Sequence, residues 1–166
     1  MIILQTERLN LRQLTIDDGE FIVELLNQPS FIQNIGDRGV RTLDDAHQYI
    51  LTGPVASYEK FGFGLYLVEL RESATAIGLC GLLKREALDD VDIGYAYLPA
   101  HWGKGYAFEA ASAVLNYGKN MHGLNRVVAV VSPDNYGSIK VLEKLGLKFE
   151  RMVQLVDGEA EVKLFA

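Results

Sequence analysis

Val91-Asp92-Ile93-Gly94-Tyr95-Ala96-Tyr97-Leu98, followed after Pro99-Ala100 by His101-Trp102-Gly103-Lys104-Gly105-Tyr106-Ala107, decides how this chain folds: a strand enters the run and a helix of small residues leaves it. Pro99 stops the strand. The helix runs from Gly105 to about Lys119 and carries Ala107, Ala110, Ala111, Val114 and Leu115 on one stripe, which implies close packing against a sheet. Arg126 to Val131 then crowds β-branched residues without alternation, as a strand buried on both faces does. A strand, a helix and a strand in that order make a crossover with the two strands parallel and adjacent. The glycine turn therefore lies at the C-terminal end of a parallel strand, where open sheets bind ligands. Glycines at 103 and 105 remove side chains where backbone must approach a ligand, and N–H groups at the helix start favour an anion such as a phosphate. The same glycines also fit a turn that only relieves steric strain.

Outward from this unit the remaining elements follow from period and punctuation. Leu9, Leu11 and Leu14 suggest a strand, and Asp17-Asp18 before Phe21, Ile22, Leu25 and Leu26 opens an amphipathic helix. Thr42-Leu43-Asp44-Asp45 has capping-box spacing and starts a second helix running toward Gly53-Pro54. Gly62 to Leu70 and Ala76 to Lys84 form an antiparallel hairpin around the polar turn Arg71 to Thr75. Pro133-Asp134-Asn135 begins a helix that Gly146 ends, and Leu147 to Val156 pairs with Glu161 to Phe165 across Asp157-Gly158. Pro29 to Gly39 and Gly53 to Phe61 read as loops. The sum is a mostly antiparallel sheet with one parallel β-α-β unit, in an α+β chain expected to be one domain over residues 1–166.

The chain has 166 residues, 49% of them hydrophobic, enough for a substantial core without disulfides or metals. A single cysteine, Cys80, excludes an intrachain disulfide, and the N-terminus shows no signal-peptide pattern. No apolar run nears the roughly 20 residues of a membrane helix, so a cytoplasmic protein is expected. A net charge of -6 argues against nucleic acid as a partner. The window Pro99 to Arg151 nevertheless holds 7 Lys and Arg against 4 Asp and Glu, while the rest holds 9 against 18. That asymmetry suits a polyphosphate at the turn and a cationic acceptor elsewhere. Gly103-x-Gly105-x-x-Phe108 is a poor dinucleotide fingerprint, and His47, His101 and His122 show no metal-ligand spacing. No Gly-x-Ser-x-Gly elbow is present.

Five motifs in order resemble the GNAT superfamily of N-acetyltransferases, and within it the RimJ/RimL-like branch. They are Thr6-Glu7-Arg8-Leu9-x-Leu11-Arg12, Gly78-x-x-Gly81-Leu82, Asp92-Ile93-Gly94-Tyr95, Trp102 to Ala110, and Asn135-x-x-Ser138 through Gly146. The resemblance implies the acyl-CoA N-acyltransferase fold, α/β/α layered, with a mixed seven-stranded sheet and about four helices. It implies acetyl-CoA as co-substrate and no metal. The family's diphosphate loop falls on Trp102, Gly103, Lys104, Gly105, Tyr106 and Ala107, with Trp102 where the consensus has Gln or Arg. It further implies that the pantetheine arm inserts between splayed strands beside Tyr97 and Leu98 and is held by Asn135.

Amine acetylation needs an uncharged nitrogen, whereas an alkyl ammonium has a pKa of about 10.4 and an α-ammonium about 8. By the resemblance Asp92 occupies the position of the family's base, acting through water, and it reads equally as an ordinary exposed acid of the Asp89-Asp90-Asp92 cluster near a strand start; Glu109 is a weaker candidate that also complements the helix dipole. A backbone N–H near Leu98, left unpaired by the splay, is the expected oxyanion donor. The tyrosine that many relatives place seven residues after the motif asparagine is Leu142 here, so Ser138, which the resemblance makes a coenzyme contact with Asn135, becomes the candidate donor to the departing sulfur. Asn135 and Ser138 equally suit a helix first turn. Tyr66 and Tyr136 are candidates for the acceptor pocket, and Lys140 and Lys144 for a phosphate contact, though packing or a solvated face accounts for each. Cys80, in a packed strand, suggests core rather than an acyl-enzyme nucleophile. The resemblance implies an amine acceptor, either a peptide N-terminus such as that of a ribosomal protein or a small amine, and is compatible with a homodimer. A non-catalytic acyl-CoA sensor or scaffold is the alternative reading.

Overall fold

The crossover unit forms where the sequence places it. In the computed structural model, which describes residues 1–166, the strands Val91–Tyr97 and Val127–Val131 are parallel and joined by the helix Tyr106–His122. They lie inside one eight-stranded sheet. In chain order its strands are β1 (Ile2–Gln5), β2 (Leu9–Arg12), β3 (Leu65–Leu70), β4 (Ala76–Leu83), β5 (Val91–Tyr97), β6 (Val127–Val131), β7 (Phe149–Val153) and β8 (Val162–Phe165). Their spatial order is β1-β2-β3-β4-β5-β6-β8-β7, and every pairing except β5 with β6 is antiparallel.

Six α-helices cover it: α1 (Gly19–Leu26), α2 (Pro29–Asn34), α3 (Leu43–Ile50), α4 (Ala56–Phe61), α5 (Tyr106–His122) and α6 (Tyr136–Lys144). Side chains alternate along each strand, so the two faces collect different partners. On one face Ile22, Leu25, Phe31, Ala46 and Ile50 of α1, α2 and α3 bury Leu67 and Leu79. On the other Ala110, Val114 and Leu142 of α5 and α6 bury Tyr66, Cys80 and Ile93. The small residues of α5 let it approach closely: a Cβ on Gly118 would lie 3.1 Å from Leu82 Cδ1.

Local chemistry sets the helix starts. Thr42 Oγ1 accepts the Asp45 amide and Asp45 Oδ2 accepts the Thr42 amide, each at 3.1 Å, which closes the expected capping box of α3. Thr15 caps a short 3-10 turn ahead of α1, and Asp18 closes its capping box and also receives Arg12, which binds Glu69 as well and ties β2 to β3.

Three expectations are corrected. The sheet has eight strands rather than seven, because Ile2–Gln5 folds back on β2 as a short edge strand too brief to show a period of its own. There are six α-helices rather than about four, since two segments read as loops are helical. Pro29 begins α2 at its first turn, where the missing N–H costs nothing, and six residues cannot display a 3.6 period. Gly53-Pro54 does not end α3: Leu51–Val55 widens into a π turn containing Pro54, and α4 continues the same rod to Phe61. The Thr52 hydroxyl, donating to the Gln48 carbonyl at 2.7 Å, helps satisfy the distorted stretch.

The feature that positions the site is the way β5 and β6 part. They share register only at Val91 with Val127 and Asp92 with Val128, at the entry ends of both strands. Beyond Asp92 the strands separate, and the gap opens toward the glycine turn.

Candidate active site

Gly103 and Gly105 have φ of +75° and +83°, conformations that only glycine adopts without strain, and they swing the chain into α5. No side chain caps that helix. The amide N–H groups of six successive residues, Gly103 to Phe108, find no acceptor within the chain; the first intrahelical bond is Glu109 N–H to the Gly105 carbonyl, at 3.1 Å. Such a row of free donors at the positive end of a 17-residue helix is an anion cradle. Trp102 turns back from it, and its indole N–H donates to the Tyr97 carbonyl at 2.9 Å.

Along β5, backbone groups alternate between the intact β4 side and the opened gap. The Leu98 amide donates to the Ile77 carbonyl at 2.9 Å, so it is not the free donor expected there. The register with β4 runs unbroken from Tyr97 to Asp92, which gives the gap-facing side to Tyr95 and Tyr97 instead. Spacing alone could not tell which parity of β5 would meet β4.

Asp92 and Ser138 lie on opposite faces of the sheet. Asp92, paired with Val128, belongs to the α1–α3 face, together with Gly94 and Ala96. It is 0% exposed, and its carboxylate receives the Arg85 Nε–H at 3.0 and 3.2 Å. Burial raises its pKa, and Arg85 offsets only part of that rise. Nearby, Tyr49, Thr52, Ser57, Lys60 and Lys84 line a cleft of about 320 Å³ between the α3–α4 rod and the ends of β3 and β4. Its charged residues are cationic. The gap between Asn34 of α2 and the end of β6 is closed by Ser132 Oγ donating to the Asn34 carbonyl at 2.7 Å.

On the α5–α6 face, Asn135 Oδ1 accepts the Ser138 amide at 3.3 Å and so caps α6. Ser138 Oγ lies 2.9 Å from the hydroxyl of Tyr95, which reaches from β5 across to α6. Nothing local in the sequence marks Tyr95 for a role, because its partner is 43 residues away. Burial pushes the Tyr95 pKa up to about 12, so the phenol keeps its proton. Leu142 is core. Cys80 is fully buried and its thiol is pushed up to about 12 by burial, which makes it an unreactive core residue.

Glu109 is a brace. It accepts from Thr6 Oγ1, from the Arg8 amide at 3.0 Å and from Arg8 Nε at 2.7 Å. Burial works against its charge, yet these donors outweigh burial and hold its carboxyl below the ordinary range. Tyr66 is core, stacked on Tyr58 at 5.4 Å, whereas Tyr136 is exposed. Lys144 spends its ammonium over the Phe108 ring at 4.4 Å, and Lys140 lies on the exposed side of α6.

This architecture, with an anion cradle at the mouth of two parted parallel strands, has known counterparts. Residues 8–148 match the family model described as an acetyltransferase (GNAT) domain, and the chain belongs to that family. It is an N-acetyltransferase by that membership and by its relatives. YoaA of Bacillus subtilis (strain 168), an uncharacterized N-acetyltransferase, is 32% identical over 154 residues, covering 92% of this chain and 86% of YoaA. A crystal structure of an acetyltransferase from Agrobacterium tumefaciens str. C58 superposes with a TM-score of 0.82 at 28% identity, over 98% of this chain and 93% of that one. RimL, a ribosomal L7/L12 alpha-N-protein acetyltransferase solved in complex with coenzyme A, has a TM-score of 0.84 at 17% identity over 99% and 96% of the two chains, a likeness of fold.

Proposed function

We propose that this chain moves the acetyl group of acetyl-CoA directly to a primary amine, either a protein N-terminal α-amine or the amine of a small molecule. The observation that carries the donor is the run of unpaired amides from Gly103 to Phe108. Those N–H groups suit the coenzyme's diphosphate, and the parted edge of β5 beside Tyr97 suits its pantetheine arm. Bound there, acetyl-CoA supplies the acyl group as a thioester, whose thiol has an ordinary pKa of about 8.5.

Donor and acceptor then approach from opposite faces of the sheet. On the α1–α3 face Asp92 is the base, and since none of it is exposed it takes the ammonium proton through water rather than by contact. Its raised pKa is the direction that task needs. On the α5–α6 face Tyr95, protonated at neutral pH, is paired with Ser138 Oγ; with the phenol as donor in that pair, the seryl hydrogen is free for the departing sulfur. Sulfur departs as thiolate, steadied by that hydrogen bond, and acquires its proton from solvent. The cradle's remaining N–H donors and the Asn135 amide hold the coenzyme.

Asp92→Asn is expected to lower kcat by on the order of a hundredfold, and Ser138→Ala by about tenfold, the value of one hydrogen bond to a charged group. Acetyl-CoA affinity should stay within about threefold of wild type, which corresponds to less than 1 kcal/mol. Thiol release and calorimetry measure the two quantities, and variants that turn over normally refute the assigned roles. The acceptor class is read by the same thiol assay against N-terminal peptides, polyamines and free amino acids. Coenzyme binding without thiol release for any of them would favour a sensor.

A further inference from the structure

We infer that Arg8, on the turn between β1 and β2, is a diphosphate-binding residue that supplies a fixed cation beside Gly105, where the loop's opening residue, Trp102, carries none. The inference rests on the cradle being the coenzyme's diphosphate site and adds a residue from a distant part of the chain. The loop's own opening residue is Trp102, whose single donor is spent on the Tyr97 carbonyl. Anionic oxygens over Gly105 thus meet backbone dipoles but no fixed charge from the loop's start.

Arg8 is brought to this place and locked. Its Nε–H binds Glu109 Oε1 at 2.7 Å, its Nη1 donates to the Lys104 carbonyl at 2.9 Å, and its guanidinium lies over the Tyr106 ring at 4.4 Å. All three partners belong to the loop or the first turn of α5. Thr6 Oγ1, bound to the same carboxylate, fixes the turn that carries Arg8. The Nη2 nitrogen has no partner, and it lies 3.3 Å from where a Cβ on Gly105 would stand. An oxygen filling the space left by that absent side chain is within hydrogen-bonding reach of Nη2. A guanidinium has five N–H donors and two are committed, so the free edge is a fork that matches two oxygens of a phosphate. A brace alone would be complete with the Nε and Nη1 bonds; the unpaired Nη2 edge beside the cradle is what a brace does not require. Sequence position hides this, because Arg8 and Gly105 are far apart along the chain.

The test is calorimetric and needs no acceptor. Coenzyme A and dephospho-coenzyme A, which lacks the 3'-phosphate but keeps the diphosphate, are titrated into wild type, Arg8→Ala, Arg8→Lys and Thr6→Val. Arg8→Ala is expected to weaken both ligands by about thirtyfold, equivalent to roughly 2 kcal/mol, with a weaker salt dependence than wild type. Arg8→Lys keeps a charge but not the fork and should lose about fivefold, while Thr6→Val, which loosens the brace and keeps the guanidinium, should lose less than threefold. Thermal unfolding confirms that each variant is folded, and Arg8→Lys carries the test where Arg8→Ala is not. Unchanged affinity in the Arg8 variants overturns the inference. A loss for coenzyme A but not for the dephospho form assigns Arg8 to the 3'-phosphate instead, and an equal loss in Thr6→Val reduces it to a brace. Wild type that binds neither ligand sinks the cradle reading itself, and the inference with it.

Discussion

Gly105→Val is expected to weaken acetyl-CoA binding by on the order of a thousandfold while the sheet remains folded. Two costs combine. At φ +83° a β-branched residue is strained, and relaxing that strain redirects the N–H groups that begin α5. The new Cβ would also stand 3.3 Å from Arg8 Nη2, in the space from which anionic oxygens reach the amides, so its methyls displace ligand or guanidinium or both. Losing two charge-assisted hydrogen bonds at about 1.5–3 kcal/mol each accounts for the magnitude. Gly103 supplies an informative contrast: a Cβ there meets nothing within 4 Å, so Gly103→Ala pays only for its positive φ and should cost less. Calorimetry on folded Gly105→Val showing wild-type affinity would mean that the anion site lies elsewhere.

How much of this was legible in the sequence depends on the range of the cause. The β-α-β unit, the capping box of α3 and the glycine turn are set by residues within a few positions of one another, and reading the chain finds them. The motif order also identifies the family. What escaped is of three kinds. Short elements carry too few residues for a period: Ile2–Gln5 becomes a strand only by pairing with β2, and Pro29–Asn34 becomes a helix whose one buried side chain is Phe31. Long-range partners carry no local signal at all. Tyr95 with Ser138, Arg8 with Lys104 and Ser132 with Asn34 are each brought together by the sheet order, which composition does not encode. The free N–H expected near Leu98 is displaced from Leu98 itself for a third reason. Its residue was placed correctly at the end of the splayed strand, but a one-residue change of parity decides whether an N–H faces the gap or β4.

Arg85→Ala is expected to destabilise the fold by about 3–5 kcal/mol at neutral pH, because it leaves the buried Asp92 carboxylate without its hydrogen-bonded counter-charge and with only the Lys84 charge acting on it. Burial already raises the Asp92 pKa, and removing the guanidinium raises it further. A carboxyl whose folded pKa exceeds its unfolded value favours the folded state when protonated. The Asp92 contribution to the variant's stability is therefore greatest below the ordinary value of 3.8 and is lost as pH rises through the raised folded value, opposite in sign to that of Asp18 and Glu109, whose lowered values favour the fold at higher pH. Urea unfolding at several pH values should show this slope, steeper in Arg85→Ala than in wild type. Adding Asp92→Asn removes the charge and should restore most of the lost stability and flatten the slope, yet turnover should stay low. That separation decides what Asp92 is for. Were it only a structural partner of Arg85, the double variant would recover turnover along with stability; if it is the base, a restored fold without a carboxylate still cannot take the proton from the amine.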